Sequence, residues 1–163
     1  LLVKNLKILY NGSTVIVFKN VLGGNFMTIV EGLIRSEENG ALSFGDYTLA
    51  QKTKLADFKH EGGSYKVKTF KEITKLEKDG MFVYESVPGT AVNNFKSTDS
   101  DVEFLVEGFE DSQIIVELEP EQNYEVSVDG KELGIMKTNL GGKLTMSLEL
   151  STDKQSSVYI KKV

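Results

Sequence analysis

The chain has 163 residues, 40% hydrophobic and 26% charged, with 19 basic and 24 acidic side chains. That composition supports one folded domain, or two very small ones, with enough apolar material for a core without cross-links. Cysteine is absent, which excludes disulfides, thiolate metal sites and cysteine nucleophiles. A net charge of -5 gives no overall affinity for nucleic acid or anionic membranes.

The first 26 residues differ from the rest. They hold three lysines and no acid, and residues 27–163 carry every carboxylate side chain. Leu, Lys, Asn, Ile, Tyr and Phe dominate this segment, the residues that translated AT-rich DNA supplies in any frame. The codons of Leu22-Gly23-Gly24 can spell AGGAGG, with Asn25-Phe26 as spacer before the ATG of Met27. Residues 1–26 are therefore expected to be a mistranslated upstream leader. The alternative is an N-terminal hairpin, with KILY and STVIVF flanking Asn11-Gly12, a strong two-residue turn signal. Lys4, Lys7 and Lys19 break the segment as a secretory signal. No stretch reaches the roughly 20 apolar residues of a membrane-spanning helix, and the cytoplasm is the expected compartment.

From Met27 onward the pattern has period two. It predicts strands at 27–35, 41–49, 65–70, 72–77, 81–86, 102–108, 113–119, 124–129, 133–138, 143–150 and 157–163. Turns are marked by Glu38-Asn39-Gly40, Gly62-Gly63, Lys78-Asp79-Gly80, Asp129-Gly130 and Gly141-Gly142, where Gly, Asn and Asp accept left-handed backbone. KLTMSLEL shows the alternation: Leu144, Met146, Leu148 and Leu150 point inward, and Lys143, Thr145, Ser147 and Glu149 outward. In YEVSVD the inward set is Tyr124, Val126 and Val128. Helical readings are weak and confined to EITKLE and LAQKTKLADF. The expected fold is all-β, an antiparallel sandwich or meander of many short strands with little helix. Val87-Pro88-Gly89-Thr90 and the polar, loop-like AVNNFKSTDSD after it suggest a boundary near 90–98. It would part an N-terminal β-meander (27–89) from a C-terminal β-sandwich (98–163); one continuous domain is the alternative.

Few residues invite chemistry. His60, the sole histidine, precedes a glycine turn and is expected to be an exposed loop residue rather than a general base. With one histidine and no cysteine, a zinc site lacks ligands. Asp99, Asp101 and Glu103 alternate as calcium ligands can, but without a turn glycine they read as a solvated loop entering a strand. Glu117, Glu119 and Glu121 read as a wet sheet face that discourages edge pairing. Tyr47, Tyr65, Phe82 and Tyr84 could form a stacking face, although aromatics on alternating strands are usually core. There is no phosphate loop and no nucleophile elbow. No catalytic residue, cofactor or metal ligand is assigned.

Three stretches carry a resemblance: MTIVEGLIRSEENGALSFGDY, KTKLADFKHEGGSYKVKTFKEITKLEKDGMFVYESVPGTAV and MKTNLGGKLTMSLEL. Across residues 27–150 the chain resembles a family of small proteins of gut-type Firmicutes that often carry the label endosialidase. The resemblance implies a glycoside hydrolase acting on polysialic acid. Propeller sialidases hold the sialate carboxylate with three arginines, because guanidinium forks suit carboxylates. This chain has one, Arg35, and is too short for a propeller.

Two readings follow. The first is a non-catalytic all-β binding or assembly module with a glycan or protein partner. The second is an endosialidase-like hydrolase or its accessory. Two carboxylates gathered with a tyrosine and Arg35 in one cleft would favour the second. Acids spread over wet sheet faces would favour the first.

Overall fold

The structure, a computed structural model, describes residues 3–10, 13–20 and 26–163. Strand β1 (Val3–Tyr10) pairs antiparallel with β2 (Ser13–Asn20), Tyr10 opposite Ser13, and β2 pairs with β3 (Phe26–Met27). The Asn11-Gly12 turn of the hairpin reading and the Gly23-Gly24 pair of the leader reading lie outside the described residues.

The remaining strands form two antiparallel sheets. The seven-stranded sheet contains β4 (Ile34–Ser36), β5 (Leu42–Phe44), β10 (Ala91–Ser97), β11 (Asp101–Glu107), β13 (Asn123–Val128), β14 (Lys131–Lys137) and β16 (Ser156–Lys162). Its order is β14-β13-β16-β11-β10-β5-β4. The six-stranded sheet contains β6 (Thr53–His60), β7 (Gly63–Phe70), β8 (Ile73–Lys78), β9 (Met81–Val87), β12 (Ser112–Glu117) and β15 (Lys143–Leu148). Its order is β15-β12-β9-β8-β7-β6. The all-β expectation holds, and the two sheets face each other over one core.

That core follows from the alternation. Leu144 and Met146 of β15 lie opposite Val116 and Ile114 of β12, and all four are buried. Tyr124 and Val126 are buried, with Val128 only partly so. The two sheets meet at Tyr84 of β9. Its ring stands edge-on to Phe44 at 5.3 Å, Phe104 at 5.8 Å and Phe95 at 6.4 Å, all from the opposite sheet.

Two-residue hairpin turns set several registers. Asp79-Gly80 (φ 50° and 78°) and Asp129-Gly130 (φ 53° and 77°) both take left-handed backbone, the combination that matches strand twist. The third such turn is Glu61-Gly62, one residue earlier than Gly62-Gly63, and Gly63 begins β7. Asp79 also accepts the Ser64 amide at 2.9 Å. Asp79→Ala should therefore destabilise by about 1–2 kcal/mol in urea unfolding, from left-handed strain plus a lost bond. Asp79→Gly, which keeps the backbone conformation, should cost less.

The sequence reading fails where the chain bends or burial overrides polarity. The strand expected over 27–35 is broken: Met27 pairs with β2 and Ile34 and Arg35 with β5, and between them Gly32 and Leu33 turn at φ 77° and 73°. Within 41–49 pairing stops at Phe44, since Gly45 has φ 99° and a β-carbon there would lie 2.4 Å from the Thr90 carbonyl oxygen. EITKLE is strand β8, as its alternation predicts, and the other weak helical candidate, LAQKTKLADF, is strand from Thr53 onward: Leu55 of β6 and Leu76 of β8 flank Val67 of β7 in register. AVNNFKS is β10, not a loop, with Ala91, Val92, Asn93 and Phe95 buried. Residues on both sides of 90–98 supply strands to both sheets, so that stretch is paired strand within the sandwich rather than a linker.

Candidate functional site

A cleft of about 470 Å³ opens at one end of the sandwich, where the β6–β7 and β8–β9 hairpins meet the β4–β5 turn and the end of β10. Leu42, Tyr65, Val83 and Phe95 give it apolar walls drawn from both sheets. The rim is polar and of mixed charge: His60, Glu61, Lys78, Lys96 and Glu117. Lys78 Nζ lies 5.8 Å from the Tyr65 ring centroid, within reach of a cation–π contact.

His60 is the last residue of β6 and half-buried, not exposed in a loop. Its Nε2 donates to the Gly40 carbonyl at 3.1 Å, and its Nδ1 then accepts from the Ser36 hydroxyl at 2.7 Å. Both nitrogens are engaged in tying the β6–β7 hairpin to the β4–β5 turn. The arrangement makes His60 a brace at the cleft rim rather than a base aimed at a substrate.

The four aromatics divide. Tyr47 and Tyr84 are fully buried, whereas Tyr65 and Phe82 line the cleft. Asp99, Asp101 and Glu103 form no metal cluster, and no group of three or more His, Asp or Glu side chains suited to a metal occurs among the described residues. Asp101 instead accepts from the Thr98 hydroxyl at 2.5 Å and the Tyr159 hydroxyl at 3.2 Å. Of the three alternating glutamates, Glu119 meets Lys162 at 2.5 Å, Glu117 reaches the cleft rim, and Glu121 is exposed in the turn before β13.

Two carboxylates do gather with Arg35 and a tyrosine, but in a buried network. Arg35 Nε donates to Glu37 at 2.8 Å, and its Nη2 donates to Asn93 Oδ1 at 3.3 Å. The Ser43 hydroxyl donates to the same glutamate at 2.6 Å. The Asn93 amide donates to the Thr28 carbonyl at 3.4 Å. The Thr28 backbone amide and the Tyr47 hydroxyl, the latter at 2.8 Å, both donate to Glu107. Glu37, Tyr47, Asn93 and Glu107 are all buried, and none of the cavities described here exposes the Arg35–Glu37 pair. Burial pushes the Glu107 carboxyl up to about 7, against the hydrogen bonds from Tyr47 and Thr28 that pull it down. Burial, and then the adjacent Glu107, pushes the Tyr47 phenol up, so it stays a donor.

A second cavity, of about 540 Å³, opens at the opposite end, against Tyr47, Val87, Pro88 and Phe109. Phe109 stands edge-on to Tyr47 at 4.8 Å.

The stacking face considered for Tyr47, Tyr65, Phe82 and Tyr84 does not form as a set, since only Tyr65 and Phe82 line the cleft, and sequence reasoning missed Lys78, Lys96 and the Glu107 network. Lys78 follows from its turn, Lys78-Asp79-Gly80; the network has no local signal, because its members come from five separate segments. No helix among the described residues is long and apolar enough to cross a membrane. Comparison with protein-family models, with curated proteins and with solved structures gave no match.

Proposed function

We propose that the protein is a non-catalytic binding module that seats a glycan in the end cleft. The observation that carries this reading is the cleft itself, with apolar walls from two sheets and a polar rim whose histidine is already committed to the scaffold. Its volume falls within the range of small-ligand sites. An apolar wall suits the C–H face of a sugar, and the rim can meet its hydroxyls. Sandwiches with loops gathered at one end commonly bind there.

The test is a saturating glycan and peptide screen by calorimetry, followed by Tyr65→Ala and Lys78→Gln. A glycan ligand should bind at least about 10-fold more weakly to Tyr65→Ala, as expected for loss of an aromatic contact worth about 1.4 kcal/mol or more. A peptide ligand, or a glycan insensitive to both substitutions, would overturn the glycan reading of the cleft. Release of oligomers from polysialic acid by the purified protein, lost in Arg35→Lys, would replace it with the hydrolase that the family resemblance implies.

A further inference from the structure

The outer face of the six-stranded sheet carries a concentration of lysine that the overall charge conceals. Strand register sets Lys54 of β6 directly opposite Lys68 of β7, and Lys68 directly opposite Lys75 of β8. Lys66 lies two residues along β7 on the same face. Like charges directly opposite on neighbouring strands are destabilising, and this chain has more carboxylates than cations to place there. Only Glu77 answers them closely, meeting Lys75 at 3.0 Å and Lys66 at 3.8 Å. Glu85 lies opposite Lys75 on the next strand and makes no ion pair with it. Lys54 and Lys68 have no carboxylate within ion-pair distance among the described residues.

These five side chains, Lys54, Lys66, Lys68, Lys75 and Glu77, line a hollow of about 70 Å³. One water needs only about 10–15 Å³ of such space, so the hollow has room for a tetrahedral oxyanion. Lys75 and its neighbours already hold Glu77 below the usual carboxylate range, the hydrogen bond from Lys75 first. A second anion would find Lys54 and Lys68 uncommitted.

We propose that this hollow is an oxyanion site, which receives a phosphate or sulfate group, free or borne as an ester by a larger ligand. Lys54 and Lys68 supply the main contacts, with Lys66 and Lys75 shared between the ligand and Glu77. The site lies on an outer sheet face, separate from the end cleft, and stands whether or not the cleft binds a glycan.

Inorganic phosphate and inorganic sulfate are titrated into the whole protein at constant ionic strength, with chloride as reference. Lysine side-chain NMR shifts and the thermal midpoint are the readouts. Saturable shifts at Lys54 and Lys68 are expected with either oxyanion, together with a rise in midpoint that chloride does not give. Tighter binding of one names the ester. Lys68→Gln should weaken binding at least about 10-fold, leave Lys154→Gln as a silent control, and keep or raise the midpoint without oxyanion because cross-strand repulsion is relieved. Non-saturable shifts equal to those with chloride, or equal affinity in wild type and Lys68→Gln, would overturn the site.

Discussion

Tyr84→Ala should cost about 3–5 kcal/mol, the range for deleting a fully buried aromatic, and leave the protein close to its unfolding threshold, since whole domains have only about 5–15 kcal/mol to lose. Tyr84 is the contact through which the six-stranded sheet reaches three phenylalanines of the seven-stranded one. Truncation removes the ring, opens a cavity between sheets that twisted strands cannot close, and strips edge-to-face contacts from Phe44, Phe95 and Phe104. The phenol contributes separately. Its hydroxyl bonds the Thr90 hydroxyl at 2.8 Å, which in turn meets Ser86 at 2.8 Å. Tyr84→Phe keeps the ring and loses that bond, so about 1 kcal/mol is expected. Guanidinium unfolding of the two variants separates packing from hydrogen bonding. Equal losses in the two would show that the ring does not couple the sheets.

The period-two pattern made the strands legible wherever one face is buried and the other wet. KLTMSLEL and the Asp79-Gly80 and Asp129-Gly130 turns needed nothing beyond local chemistry. Three features lay beyond it for physical reasons. AVNNFKS reads as polar loop, yet Asn93 is buried in strand β10 because Thr28 and Arg35 hydrogen-bond its amide from another segment. Glu107 shares its side of β11 with Asp101 and Glu103, so alternation assigns it to the wet face; the segment carrying Thr28 covers that face only at its far end. The lysines of KTK, KVK and TK are visible one strand at a time, but only cross-strand register shows that they stand opposite one another. A net charge is a sum over the surface, and the sum erased the face.

The stability of the protein should fall as pH rises between about 4.5 and 7, and Glu107 is the reason. Its carboxyl is buried, with 1% exposure, and holds its proton to about 7 in the folded chain against an ordinary value of 4.5. Below about 4.5 both states are protonated and the group's stabilising contribution is fully present. Between the two values the unfolded chain has released the proton that the folded chain keeps, so raising the pH draws the equilibrium toward unfolding. Above about 7 the folded carboxyl ionises in place, and about 3 kcal/mol has been lost. The ionised form is tolerated because Tyr47 and the Thr28 amide still donate to it. Glu107→Gln keeps an acceptor for both donors and carries no charge. It should match the wild type near pH 4.5 and exceed it by about 3 kcal/mol above pH 8. Urea midpoints of both proteins across this range give a difference curve in which every other titrating group cancels. A flat difference curve would mean that Glu107 ionises as an ordinary surface carboxylate, and that its burial beneath Thr28 and Tyr47 is not how the protein holds it in solution.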